Sequence, residues 1–206
     1  QFTYLTNAFS IETEFVNLEQ IASMPGVKSV FVMPVYHPAE VLPGTVTPSA
    51  TASGEMVGVP SIWADLGYTG TGMKIAVLDT GLDLDHPSFA AAPVADTNSL
   101  TVADIADVLE DLNAYKRMKG NVTAEDLYNT EKVPFVFNYS DSNLVGDHSQ
   151  DNQGDHGTHV AGIIGANKTA DTNVIGVAPD AQLVVMQVFQ QGGGASWDTV
   201  MAALED

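Results

Sequence analysis

Residues 154–165 read GDHGTHVAGIIG, and the rest of the chain takes its meaning from this stretch. Between Gly157 and Asn167 there is no Asp, Glu, Lys or Arg, and Val160, Ile163 and Ile164 are interleaved with Ala161, Gly162, Gly165 and Ala166. A helix of this composition is apolar nearly all round and is therefore expected to be buried. Each glycine costs a helix up to about 1 kcal/mol against Ala, so the glycines predict close approach of other elements. Asp155 is the expected N-cap. His156 then opens the helix with its imidazole facing outward, and His159, one turn along among apolar residues, is expected to be buried and hydrogen-bonded. A rigidly held imidazole at the mouth of a buried rod suits a general base.

A second motif, KIAVLDTGLDLDHP, occupies residues 74–87. Ile75, Ala76, Val77 and Leu78 form the continuous apolar run of a fully buried parallel strand. The run ends in Asp79, at the C-terminal edge where open α/β sheets place their ligands. Thr80 and Gly81 then turn the chain. A third stretch, GVAPDAQLVVMQVF at residues 176–189, predicts another buried strand over 183–189.

In this order, the three blocks resemble the Asp block, the His block and the following strand of the subtilisin-like serine proteases, over about residues 56–206. The resemblance implies a doubly wound α/β fold with a parallel sheet, incomplete here. It also implies acyl transfer by an Asp-His-Ser triad that needs no cofactor, with polypeptides as substrates. Asp79 then orients the imidazole and His156 takes the proton of the serine. The family order puts the serine last. After Phe189 only residues 190–206 remain, and in SWDTVMAALED Ser196 reads as the N-cap of an amphipathic helix. The chain is accordingly expected to be a fragment that lacks the nucleophile and the oxyanion-hole Asn and is inactive alone. The resemblance also puts Gly192, Gly193 and Gly194 on the edge segment that pairs with substrate backbone.

Composition narrows the alternatives. Seven Lys and Arg against 26 Asp and Glu give a formal charge of −19, which argues against nucleic acid and anionic membranes. No run approaches the roughly 18 apolar residues of a membrane span. The absence of Cys excludes thiol catalysis, disulfides and Cys-based zinc sites. No signal peptide opens the chain, and a start at Gln1 is expected to reflect trimming.

Residues 1–42 read as strand, short helix over 18–24, and strand, with Phe9, Ile11, Thr13 and Phe15 alternating before the helix and Val30 and Val32 after it. They resemble the C-terminal half of the family's inhibitory propeptide, which would make this chain part of a zymogen with its own propeptide as inhibitor. The rival is a decorated N-terminal edge of the catalytic domain. Residues 43–55 have linker composition and are the expected region of processing. Residues 59–66 predict a short helix. GYTGTG at 67–72 is a turn, because a dinucleotide fingerprint must follow a strand and this one precedes it. QQGGG at 190–194 lacks the Lys and Ser or Thr of a phosphate loop.

The segment between Asp79 and His156 carries an insertion over about residues 90–150. It predicts an amphipathic helix over 100–112, a helix start at Thr123 with Glu125 and Asp126, and a strand over 133–139 that Pro134 places at an edge or start. The insertion and KVPFVFNYSDSN resemble the larger cell-envelope proteases of Gram-positive bacteria, implying a secreted or envelope-bound bacterial protein. Asp141, Asp147, Asp151 and Asp155 raise the question of Ca²⁺, but the EF-hand pattern is missing and a solvated acidic loop is expected, with no metal ligand assigned. Structural calcium, common in the family, finds Ser88 where an Asp ligand would stand, and only residues 167–174 to wrap a cation. Two other classes are open. A non-catalytic, protease-like binding or assembly protein would lack the serine altogether. A metal hydrolase would use His156, His159, Asp155 and Asp79, but HGTH has neither the i, i+4 histidine pair nor the Glu of a zinc-protease helix.

Overall fold

A computed structural model of the chain describes residues 1–37, 50–150, 155–170, 172–191 and 193–206. In chain order the helices are α1 Leu18–Ala22, α2 Ala50–Met56, α3 Val59–Leu66, α4 Val102–Val108, α5 Asn113–Arg117, α6 Ala124–Leu127, α7 His156–Gly165 and α8 Trp197–Glu205. The strands are β1 Val35–Tyr36, β2 Lys74–Asp79, β3 Phe135–Asn138, β4 Gln182–Gln187 and β5 Ala195–Ser196.

Three strands form a parallel sheet in the order β2-β4-β3, and β1 pairs antiparallel with β5. Because side chains alternate along a strand, each face of the parallel sheet builds its own core. On one face Ile75, Val77, Val136, Leu183 and Val185 pack against Val160, Ala161 and Ile164 of α7. On the other, Leu78, Phe135, Phe137, Val184 and Met186 meet Ile105 of α4, Leu127 of α6 and Ala202 and Ala203 of α8. Helices on both faces of a parallel sheet make a doubly wound α/β fold, as expected.

The strands expected at residues 74–79, 133–139 and 183–189 are present with altered surroundings. Among the described residues β2 pairs only with β4, and its apolar run is not buried on both faces: Val77 is buried and Ala76 exposed. β3 is the other edge, and Pro134 precedes it where no ladder N–H is needed. α7 is not buried all round either. It lies on one face of the sheet, so the stripe Gly157, Ala161 and Gly165 is buried while Ile163 is 60% exposed. His159 falls on the outer side and is exposed, contrary to the expected buried role.

The insertion folds onto the sheet through local caps. Thr101 and Asp104 form a capping box at α4, and Thr123 and Asp126 form one at α6. The single helix expected over 100–112 breaks at a 3-10 turn, Leu109–Asp111, because the Asp206 carboxylate accepts the Asn113 and Ala114 N–H groups at 2.6 and 2.8 Å and starts α5 afresh. At α8 Ser196 is the N-cap by position only. Its hydroxyl bonds Asp198 Oδ1 and Thr199 Oγ1, and it makes no cap bond to the helix backbone. Lys132 is fully buried and donates to the Pro179 and Ala181 carbonyls at 2.6 and 2.8 Å, tying the approach to β3 to the approach to β4. Burial pushes its ammonium down to about 8, with Asp180 opposing the shift.

In the N-terminal region α1 is present, whereas residues 9–14 and 27–34 form no strand. The alternating residues find no partner layer: Phe9, Ile11, Phe15, Phe31 and Val32 are all exposed, and strands need such a layer to persist. Only β1 pairs. Residues 43–49 of the expected linker lie outside the described residues, and Ala50–Met56 is helical.

α7 approaches the turn after β2 through Gly157. A Cβ there would collide with the Gly81 carbonyl oxygen and lie 3.2 Å from Asp79 Oδ1. At the other end of the helix a Cβ on Gly165 would lie 3.2 Å from Leu183 Cδ2. These two glycines meet the expectation of close approach, whereas Gly162 has open space. Gly157→Ala is expected to destabilise the chain by about 1–3 kcal/mol through overpacking, read as a lower denaturant midpoint, with Gly162→Ala neutral or stabilising.

Candidate active site

Asp79 is the last residue of β2 and His156 the first of α7, and the helix packing just described brings them together. Asp79 is 8% exposed. Its Oδ1 accepts the Thr80 N–H at 2.7 Å and lies 2.8 Å from His156 Nδ1. A carboxylate only accepts, so Nδ1 carries a proton, and in the neutral ring the basic lone pair is then on Nε2. Thr80 completes the arrangement: its Oγ1 accepts the Gly157 N–H at 3.0 Å, occupying a donor at the head of α7. Thr80, which the sequence presents only as part of a turn, directly follows Asp79, and that adjacency is its one signal.

Asp155 is the N-cap of α7 by position, with φ 58° and ψ 40°, but it makes no side-chain cap bond. Its Oδ1 instead accepts from His148 Nδ1 at 2.9 Å. That histidine was not singled out in the sequence. Asp83, on the turn after β2, donates its N–H to Thr158 Oγ1 at 2.9 Å, a further tie between the turn and α7.

The glycine segment lies elsewhere. Gly192 is outside the described residues. Gly193 donates its N–H to the Gln190 carbonyl at 2.7 Å, and Gln190 donates to that of Gly194 at 2.9 Å, forming a tight turn before β5. The N-terminal region already lies along this edge. Val35 and Tyr36 pair with Ser196 and Ala195, and His37 Nδ1 lies 3.1 Å from the Gly193 carbonyl oxygen. An apolar cavity of about 360 Å³, lined by Leu78, Ile105, Phe135 and Met186 among others, lies on the sheet face away from α7 and includes neither Asp79 nor His156.

Among the described residues no three His, Asp or Glu side chains converge as metal ligands. Asp141 accepts from Asn138 and Asp147 from Ser149, and Asp151 lies outside the described residues. In the 167–174 loop Thr169 and Thr172 bond one another and Thr172 also meets Ser88. Asn167 Oδ1 is buried without a partner. Ca²⁺ takes roughly six to eight oxygen ligands, and Asn167 Oδ1 is the unpartnered buried side-chain oxygen that the described part of this loop offers. No helix among the described residues is long and apolar enough to cross a membrane.

Comparison with known proteins agrees with this architecture. The profile of the Subtilase family, Peptidase_S8, matches residues 70–205. Over its whole length the chain is 34% identical to a PII-type proteinase of Lacticaseibacillus paracasei and 32% to a PI-type proteinase of Lactococcus lactis subsp. cremoris, covering 10% of each. It is 27% identical, again over its whole length, to the minor extracellular protease Vpr of Bacillus subtilis, of which it covers 22%. The chain thus spans about a tenth of the length of the two proteinases. With the matched region running from the turn before β2 to the end of α8, the chain belongs to the subtilase family, the subtilisin-like serine proteases.

Proposed function

We propose that Asp79 and His156 are the orienting carboxylate and the general base of an Asp-His-Ser triad, and that the protein to which this chain belongs is a serine endopeptidase. The observation that carries the reading is the 2.8 Å contact between His156 Nδ1 and Asp79 Oδ1 at the C-terminal edge of a parallel sheet. As the serine oxygen bonds to the scissile carbonyl carbon, His156 Nε2 takes the hydroxyl proton, and Asp79 stabilises the resulting imidazolium without being protonated itself. The same nitrogen then returns the proton to the leaving amine. Water, deprotonated in turn, hydrolyses the acyl ester. Ser196 is a poor nucleophile here, since its hydroxyl is spent on Asp198 and Thr199. The serine belongs to sequence beyond the 206 residues, and this chain alone is inactive.

The N-terminal region acts in this reading as an inhibitory propeptide. It reaches the catalytic unit through backbone pairing of β1 with β5, through Phe2 and Phe31, each 5.6 Å from the Trp197 ring centre, and through the Glu205 carboxylate. Glu205 accepts the N–H groups of Thr3, Tyr4 and Leu5 at 3.0–3.2 Å. The strand addition at β5 and the His37 contact to Gly193 are the kind of pairing by which the glycine edge would hold a substrate backbone. The relatives, among them a proteinase named as extracellular, support secretion or attachment to the cell envelope.

Two measurements test this. Fluorophosphonate should label one serine of the full-length product, and His156→Ala should abolish labelling and lower peptide turnover by about 10⁶-fold; labelling that survives in His156→Ala would remove the proposed base. For the propeptide contact, pH is the lever. Partial desolvation is the largest influence on Glu205 and raises its carboxyl, but the Leu5, Thr3 and Tyr4 donors together hold it below the usual carboxylate range. A depressed folded value means that the carboxylate's contribution is complete above the unfolded pKa and is lost as pH falls through the folded one. Amide exchange at Thr3, Tyr4 and Leu5 should therefore lose protection on acidification, and in Glu205→Gln should already be weakly protected at neutral pH. Unchanged protection in the variant would exclude the anchor.

A further inference from the structure

The segment before α7 folds back over the turn that follows β2. His148 donates its backbone N–H to the Leu82 carbonyl at 3.1 Å, and Leu82 donates to that of Gly146 at 3.2 Å. A Cβ on Gly81 would lie 2.5 Å from the Asp147 carbonyl oxygen, so this segment sits directly on the turn leaving Asp79. The His148 side chain then spans two carboxylates: Nδ1 is 2.9 Å from Asp155 Oδ1, and Nε2 is 3.8 Å from Asp83 Oδ1. Asp155 immediately precedes His156, and Asp83 belongs to the turn that carries the chain away from Asp79. The two segments that hold the Asp79–His156 pair, already tied by the Gly157–Thr80 and Asp83–Thr158 bonds, are thus joined again by one imidazole.

Asp155 gives this contact its leverage. Its φ of 58° lies in the left-handed region that favours glycine. Its carboxylate, which would ordinarily cap the helix, is turned to His148 instead. The strained residue beside the proposed base is therefore held from outside the helix.

We infer that His148 is a positioning residue for His156: its imidazolium, held by Asp155 on one side and Asp83 on the other, fixes the head of α7 and so the ring of His156 against Asp79. The inference rests on the proposed triad for what His156 does; the brace itself rests on geometry. Only the imidazolium is charged, so in that form the ring donates to Asp155 at 2.9 Å and attracts Asp83, 3.8 Å away and beyond hydrogen-bond reach, by charge alone. The charged groups facing His148 are Asp155 from α7, Asp83 from the turn after β2 and Asp147 from its own segment. All are acidic. The bond to Asp155 is the main reason that His148 holds its proton above the ordinary imidazole range; desolvation opposes it, and Asp83, Asp155 and Asp147 add to it by charge. Since the folded value is raised, the brace is complete below the unfolded imidazole pKa and is lost as pH rises through the folded value.

The test is ¹⁵N-histidine NMR on the 206-residue chain, comparing wild type, His148→Gln and Asp155→Asn, with circular dichroism to confirm folding. In the wild type His148 should titrate above the usual imidazole value, and the His156 ring signals should shift over the same pH interval. Asp155→Asn should return His148 toward the ordinary value. In His148→Gln the shift of the His156 signals over that interval should vanish, and exchange of its Nδ1 proton with water should accelerate about tenfold, as expected of a ring held less firmly. An ordinary His148 titration unaffected by Asp155→Asn, or a His156 proton that exchanges equally in wild type and His148→Gln, would overturn the inference. The wild-type and Asp155→Asn titrations decide the matter even if His148→Gln does not fold. None of these readouts uses turnover, so a full-length protein that failed to label with fluorophosphonate would remove the protease reading and leave this result intact.

Discussion

A carboxylate at the end of a strand and an imidazole at the start of a helix can share a hydrogen bond only if the helix comes down onto the strand with nothing between them. Here the second residue of α7 has to be glycine, because any Cβ at Gly157 would occupy the space of the Gly81 carbonyl. With that space open, the Gly157 N–H reaches Thr80 Oγ1, the Thr80 N–H reaches Asp79, and Asp79 reaches His156. These three contacts form a short closed circuit between two elements that are far apart in sequence. The buried face of α7, Gly157, Ala161 and Gly165, then keeps the helix against the sheet, and Leu183 and Val185 of the central strand supply the floor. Distortion of this seam would separate the pair even with both side chains unchanged.

The other end of the functional surface is organised by backbone rather than by charge. β5 and the turn at Gly193 and Gly194 offer an edge, and the N-terminal region takes it with two residues of pairing, two aromatic contacts to Trp197 and one carboxylate clamp. Much of that region's own apolar surface, including Phe9 and Ile11, remains exposed. Its place on the catalytic unit is thus set by a few anchors and not by a core of its own. Such an attachment is easily reversed, as the proposed propeptide role requires.

The fold and the central pair were legible because each was written in local chemistry. The run Ile75 to Leu78 ending in Asp79, and the charge-free stretch after His156, specify a strand and a packed helix by composition alone. The capping boxes at Thr101 and Thr123 are equally local. What escaped depends on partners distant in sequence. Asp155 looks like a cap, but its side chain is drawn away by His148; His159 has apolar neighbours in sequence, yet lies on the outward side of a helix that touches the sheet along one stripe only. The helix over 100–112 breaks because Asp206, far along the chain, supplies a carboxylate to the Asn113 amide. Alternation in residues 9–15 predicted a strand that has no neighbour to pair with. In each case the outcome depended on tertiary contacts that local sequence does not carry.

The account depends on a directed hydrogen bond from His156 to Asp79, and proton NMR of the 206-residue chain addresses it most directly. At a pH where the imidazole is protonated, the Nδ1–H proton of His156 should appear as a resolved low-field resonance, slow to exchange, and it should disappear in a folded Asp79→Asn variant. The same resonance in both proteins, or none in a folded wild type, would mean that the two side chains do not form the pair on which the proposed chemistry rests.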